Sequence, residues 1–356
     1  MSTTSKNLNS TQTNNSELNE SVTEREGKCI PLLLAPVGKD YLWGGVRLLT
    51  EFEKEKALIN GPFETLAESW ECSTHPDGVC GVQNGIYKGK SLLEVLEEHP
   101  EFVGTHPKVD SVFSKLPVLI KLIDAKQTLS IQVHPDDCYA RNNEGQSGKT
   151  EMWYVLDAKP GATLIYGFLH DMDKKEIEES IKQGTIGKHL RKVPVKKDDI
   201  FMIWPGTVHA IGEGILLAEI QECSNVTYRL YDYDRTDKNG EKRQLHVKKA
   251  LEVINCKEQA MVRQKMRLMR YQKGSASESL CRCEYFQVDR VLVTANYHCM
   301  IEDTSFQVFL AIDGTLHLED RRGNNLSVKK GDCVFLPASL GEVTVTGKGQ
   351  FLKICC

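Results

Sequence analysis

The twelve cysteines of this 356-residue chain form no Cys-x-x-Cys pair and keep no secreted-domain rhythm, and several sit inside apolar runs. Reduced thiols fit that pattern better than a disulfide framework. No window approaches the ~18 to 20 apolar residues of a membrane span, and the N-terminus carries no apolar export region. Neither sign of charge dominates: 45 Lys and Arg against 49 Asp and Glu give a net −4, which leaves no global basic field to attract nucleic acid or an anionic membrane. With 40% hydrophobic and 26% charged residues, a fibre, a disulfide-stapled miniprotein and a wholly disordered chain are excluded. The expectation is a cytoplasmic protein with no nucleic-acid or membrane partner.

Residues 2–28 hold three aliphatic side chains and no aromatic. Such a segment cannot bury enough surface to offset the entropy of ordering, so 1–28 is expected to be a disordered polar tail. From Ile30 onward, short apolar runs alternate with Gly, Pro, Asn and Asp: 117–123 (PVLIKLI), 128–134 (TLSIQVH), 151–156 (EMWYVL), 163–168, 200–204 and 215–222. These read as strands. Helical spacing is confined to 91–98, 173–192 and 246–254. Strands resume at 285–293, 305–311, 315–319, 333–336 and 343–346, after a basic stretch at 257–273. The organisation expected is a tail (1–28), a body with helical insertions (29–256), a connector (257–284) and a second β unit (285–356).

The two units share an echo. KKDDIFMIWPGTVH (196–209) aligns without gaps on KKGDCVFLPASLGE (329–342), with Lys196, Lys197 and Asp199 matching Lys329, Lys330 and Asp332. A turn, a strand and a Pro-containing bend resemble the second motif of cupins, small double-sheet jelly rolls. The predicted fold is thus mainly β, two tandem cupin-like jelly-roll barrels with a few peripheral helices. At the motif's ligand position His209 stands opposite Glu342, and no Gln-x-His pair precedes in the second unit. Only the first barrel is expected to hold a metal.

In 130–134, SIQVH, strand periodicity sends Ser130, Gln132 and His134 to one face and Ile131 and Val133 to the other. A wet edge strand would account for that alone. Glu151, however, opens a strand of buried character, and His209 closes the run IFMIWPGTVH. Together Gln132, His134, Glu151 and His209 offer two imidazoles, one carboxylate and one amide oxygen, a set suited to Zn²⁺ or a similar divalent ion.

Six ordered blocks carry a resemblance: LLLAPVGKDYLWGGVRL (32–48), ESWECSTHPDG (68–78), PVLIKLIDAKQTLSIQVHPDD (117–137), GKTEMWYVL (148–156), PGTVHAIG (205–212) and ECSNVTYRLYDYDR (222–235). The chain resembles the short bacterial form of the class I mannose-6-phosphate isomerases, also called phosphomannose isomerases, closely over 30–236 and architecturally to 356. The resemblance implies a zinc-dependent interconversion of mannose 6-phosphate and fructose 6-phosphate, one zinc per chain, in a monomer or homodimer whose partner is a small sugar phosphate. It carries the metal ligands onto Gln132, His134, Glu151 and His209. It assigns catalytic roles to Lys149, Glu219 and Arg229, and sugar-phosphate contacts to Lys121 and Ser130. Trp43, in YLWGG, is a further candidate for lining the sugar pocket, or else a core plug. The chain departs from many members at Asn225, where they have Asp four residues before the Arg; an amide cannot exchange a proton there.

An aldose–ketose isomerisation needs a base, a counter-charge for the enediolate and a phosphate anchor. Arg229 and Lys149 are cationic, and Glu219 is a candidate base. Structural alternatives are an ion pair between Arg229 and the aspartates of LYDYDR, and an edge role for Lys121. The rival functions are a non-catalytic sugar-binding or regulatory bicupin and a different metal-dependent cupin enzyme.

Overall fold

A computed structural model describes residues 28–108, 114–236, 240–260, 262, 264 and 266–356. Of the tail read at 1–28, only Lys28 falls among the described residues. The remainder is mainly β, arranged in three sheets, and no described helix is long and apolar enough to cross a membrane.

A six-stranded antiparallel sheet runs in the order Ile200–Ile203, Glu151–Ala158, Ile215–Glu222, Val118–Ala125, Glu68–Cys72, Val37–Lys39. Val118–Ala125 and Ile215–Glu222 are buried at every position, because this sheet is covered on both faces. That explains their near-continuous apolar runs. Ile120, Leu122, Met152, Tyr154 and Ile220 on one face join Val288, Phe335 and Ile354 of the C-terminal sheet in one apolar cluster. On the other face Ile123, Trp153, Val155 and Leu217 meet Leu129, Leu164 and Ile211.

Those last residues line a five-stranded sheet, in the order Tyr228–Tyr231, Ile131–Val133, His209–Ala210, Thr163–Phe168, Leu190–Pro194. Its back, with Ile131, Val133, Phe168 and Leu230, packs under the helices Lys174–Lys182 and Val247–Val253 through Ile177, Ile181 and Ala250. The expected helix over 173–192 is shorter than its pattern. Gly184 takes a left-handed turn (φ +66°) two residues past the helix end, and Leu190–Pro194 becomes an edge strand. A helix not foreseen, Asp137–Glu144, starts where the Asp136 carboxylate accepts the Tyr139 N–H at 2.8 Å.

The third sheet has ten strands and holds the C-terminal unit. Its boundaries differ from those read in the sequence. Arg270–Gln272 and Ser275–Arg282, within the supposed connector 257–284, are antiparallel strands of this sheet. Their polar SASES segment lacks the apolar alternation that marks a strand locally. The strand Leu32–Ala35, from the first unit's span, also pairs here, with Leu32 opposite Phe335. The sheets do not close on themselves, so both units are jelly-roll-like sandwiches rather than closed barrels. The echo is structural: Asp199 accepts the Lys196 N–H at 2.9 Å, and Asp332 accepts the Lys329 N–H at 2.8 Å, each before its strand.

Candidate active site

Register aligns polar side chains from two facing sheets. In the five-stranded sheet Arg229 and His209 both lie opposite Gln132 on adjacent strands. In the six-stranded sheet Glu219 lies opposite both Lys121 and Trp153, and Gln221 opposite Glu151. Strand alternation turns the polar members of both rows inward. Ile131 and Val133, the neighbours of Gln132, are packed under the helices, as the periodicity predicts.

His134, Glu151 and His209 are buried, with ligand atoms all within 4.8 Å of one another, the one such potential metal-holding group among the described residues. His134 Nε2 lies 3.3 Å from Glu151 Oε1, and His209 Nε2 lies 3.8 Å from Oε2. Each imidazole turns Nδ1 to a backbone carbonyl: His134 to Val226 O at 2.9 Å, His209 to Thr207 O at 2.8 Å. A carbonyl only accepts, so Nδ1 carries the hydrogen and Nε2 presents its lone pair to the cluster. Burial lowers the His134 pKa to about 3, helped by the Lys149 ammonium, and lowers that of His209 as well. Both rings are therefore neutral, as ligation requires.

The Glu151 carboxylate is the clearest sign of a cation. Its side chain is fully buried, and among the described residues neither oxygen accepts a hydrogen bond, although Lys149 Nζ stands 2.6 Å from Oε1. Despite burial, Lys149 and the two imidazoles hold its pKa well below the ordinary carboxylate value. A buried carboxylate facing two lone pairs has unmet demand that a divalent ion would satisfy. Gln132 Nε2 lies 3.4 Å from His209 Nε2, and a half-turn of its amide would present Oε1 instead. The residues present fit a metal.

Beside this cluster opens a cleft bordered by Tyr41, Trp43, Glu68, Lys121, Ser130, Gln132, Lys149, Glu219, Asn225, Thr227, Arg229 and Arg243. Every residue singled out in the sequence for catalysis or sugar contact thus borders one space. Lys121 is buried between two carboxylates, 3.1 Å from Glu219 and 3.7 Å from Glu68. These hold its ammonium above the ordinary pKa against the opposing effect of burial. Trp153 donates its indole N–H to Glu219 Oε2 at 2.8 Å. Burial, then the charge of Glu151, raises the Glu219 pKa. Trp43 is 2% exposed and packs with Ala67, Ile123 and Trp153, so it is a core plug with one edge on the cleft. A Cβ on its neighbour Gly44 would lie 2.7 Å from Ala67 N, which is why glycine stands there.

Arg229 does not pair with the aspartates that follow it. Asp232 is held by Arg235 and by Arg243, the latter at 2.6 Å, and Asp234 by Lys242 at 2.6 Å. The buried Nε of Arg229 has no hydrogen-bond partner among the described residues. Burial, with Arg243 nearby, lowers its pKa from the ordinary guanidinium value. Asn225 donates to Asp77 Oδ2 at 2.7 Å.

Sequence reasoning passed over Glu68, Tyr41, Trp153 and Arg243. For Glu68 a signal existed: strand alternation in ESWEC sets Glu68 and Trp70 on one face, and Trp70 pairs in register with Lys121. Trp153 could have been found the same way, two residues after Glu151.

The profile of the phosphomannose isomerase type I catalytic domain matches residues 32–176, and that of the mannose-6-phosphate isomerase cupin domain matches 276–356. The mannose-6-phosphate isomerase ManA of Bacillus subtilis is 38% identical over 325 residues, 90% of this chain and 97% of that one. A mannose-6-phosphate isomerase of Streptococcus mutans is 44% identical over 225 residues, 63% of this chain and 67% of its own length. The crystal structure of the Bacillus subtilis mannose 6-phosphate isomerase superposes with a TM-score of 0.81 at 36% identity, covering 91% of this chain and 99% of that one.

Proposed function

This chain belongs to the mannose-6-phosphate isomerase family, and from that premise we propose that it interconverts mannose 6-phosphate and fructose 6-phosphate by moving a proton between adjacent sugar carbons through an enediol or enediolate. The observation that carries this reading is the buried Glu151 carboxylate, without a hydrogen bond among the described residues, facing two neutral imidazoles beside a cleft lined by Arg229, Lys149 and Glu219.

Gln132, His134, Glu151 and His209 are the proposed holders of one zinc ion, which when bound supplies a Lewis acid for the sugar's oxygens without changing redox state. Glu219 is the proposed base: its raised pKa suits a carboxyl that takes a proton and returns it. Trp153 and Lys121 orient its two oxygens, one each. Arg229 presents a planar, permanently charged fork to the negative charge that develops on the sugar. Lys149 adds a second cation on the metal side of the cleft. Lys121, Ser130 and Trp43 are the proposed contacts along the sugar phosphate.

The test is a coupled assay that follows fructose 6-phosphate formed from mannose 6-phosphate, run with and without air, after chelation and after zinc is restored. Turnover that vanishes on chelation, returns with zinc and ignores oxygen supports the reading. A zinc-restored protein with no turnover removes it, and oxygen-dependent consumption of a substrate would favour a different metal cupin.

A further inference from the structure

Behind the catalytic cleft, on the side of the C-terminal unit, two acidic side chains grip the short segment that carries Lys149. Glu222 is 3% exposed. Its Oε1 accepts the backbone N–H of Thr150 at 2.7 Å, while its own N–H donates to Thr150 O at 3.1 Å. Asp137 Oδ1 accepts the backbone N–H of Gly148 at 2.8 Å. Lys149 N–H, between them, donates to Pro135 O at 3.1 Å. All three amides of 148–150 are therefore held, two by residues 135–137 and one by Glu222.

The fit is close. A Cβ at Gly148 would stand 2.5 Å from Asp137 N and 2.6 Å from Asp136 C, so the segment lies flush on the helix start that presents Asp137. Arg141 and Tyr285 keep Asp137 in place through its other oxygen, at 3.1 Å and 3.4 Å. Tyr285 comes from the C-terminal unit and borders, with Asp137 and Glu222, a cavity of about 240 Å³. None of these groups borders the cleft, yet Lys149, in the held segment, does, and Glu151, the next residue after that segment, lies 2.6 Å from the Lys149 ammonium in the cluster beside it.

We propose that Glu222 and Asp137 are positioning residues of the active site: they fix the backbone of 148–150 and so determine where Lys149 and Glu151 point. This rests on the isomerase reading above. A long side chain with several rotatable bonds, such as Lys or Glu, cannot be aimed if its backbone drifts, and displacement of a charged group by about 1 Å costs up to ~10²-fold in rate. What matters in this arrangement is an acceptor oxygen at each place, not the charge. Glu222→Gln and Asp137→Asn keep such an oxygen, whereas Glu222→Leu and Asp137→Ala remove it.

The experiment measures, on the full chain, amide hydrogen exchange at Gly148 and Thr150, bound zinc, and kcat and KM for mannose 6-phosphate. Glu222→Leu is expected to speed Thr150 exchange at least ~10-fold and to lower kcat about 10-fold, with KM changed by less than about 3-fold. Glu222→Gln should restore both to within about 3-fold of the parent. A purely structural role would lower melting temperature and leave kcat intact. Unchanged Thr150 exchange or unchanged kcat in a folded Glu222→Leu protein overturns the proposal, as does Glu222→Gln failing alongside it. Should Glu222→Leu not fold, Asp137→Ala against Asp137→Asn makes the same comparison at Gly148. If the parent protein itself does not turn over mannose 6-phosphate, the isomerase reading fails, and the exchange rates still decide whether the two carboxyls hold the segment.

Discussion

The two imidazoles and Glu151 converge on a point where each offers an electron pair and none donates. Removing one of them should act on metal and turnover together. His134→Ala and His209→Ala are each expected to lower bound zinc, read by elemental analysis, in parallel with activity; full zinc with normal turnover would take that histidine out of the site. Arg229 calls for a different outcome. Its neighbours Asp232 and Asp234 already have other cations, so its charge is not consumed in holding the chain together. Arg229→Lys should keep fold and metal but lower kcat on the order of 10²-fold, with a smaller change in KM, because a fork that binds two oxygens is replaced by a single flexible charge. A melting curve beside steady-state kinetics separates this from a structural role, in which stability would fall and kcat would hold.

The strand Ile215–Glu222 joins the cleft to the groove behind it, carrying Glu219 at one and Glu222 at the other. Burial raises the Glu222 pKa to about 7, with the Asp137 carboxyl adding to it and the Thr150 hydrogen bonds opposing it. The charged and titratable groups around it include Asp137, Arg141 behind Asp137, Tyr285 and Cys283, and His106, Lys108 and Glu284 line the same cavity. A carboxyl whose folded-state pKa exceeds its unfolded value contributes stability that is complete below the unfolded pKa and is lost as pH rises through the folded one. From Glu222 the parent should therefore lose on the order of 3 kcal/mol between about pH 4.5 and pH 7. Glu222→Gln, which mimics the protonated form, is expected to match the parent near pH 5 and to exceed its unfolding free energy at pH 8. Denaturant titrations of both proteins at the two pH values check this, and parallel curves for the two would refute it.

Across the molecule, the C-terminal sheet covers the back of the six-stranded sheet and is fastened to the first unit by a buried charge. Lys54 and Glu71, 2% and 0% exposed in their side chains, lie 2.6 Å apart, and Lys54 also donates to Gly331 O in the second copy of the repeated turn. Burial raises the Glu71 pKa even so. Lys54→Met should destabilise the protein by about 3–5 kcal/mol, since it strands Glu71 without a counter-charge. Lys54→Met with Glu71→Leu should recover most of that loss, and thermal unfolding of the pair measures it. The second unit itself is expected to hold no zinc. Glu342, at the position corresponding to His209, is predicted to be replaceable by alanine with metal content unchanged; loss of metal would mean that the second unit contributes to the site.

Strand alternation is a local property, and wherever it governs a side chain the sequence already contains the answer. SIQVH told Gln132 and His134 from Ile131 and Val133, and the repeated KK-x-D turn foretold two units whose Asp residues cap the same bend. Register and partner choice are not local. That Glu219 lies between Lys121 and Trp153 and that Glu68 shares Lys121 follow from strands distant in the chain being paired in one alignment. The polar strand Ser275–Arg282 was invisible for the same reason: its place depends on hydrogen bonds to Gln287–Val293, not on an apolar face of its own. The grip of Glu222 and Asp137 on 148–150 joins three segments through backbone amides, and backbone amides are the part of a protein that a sequence does not distinguish.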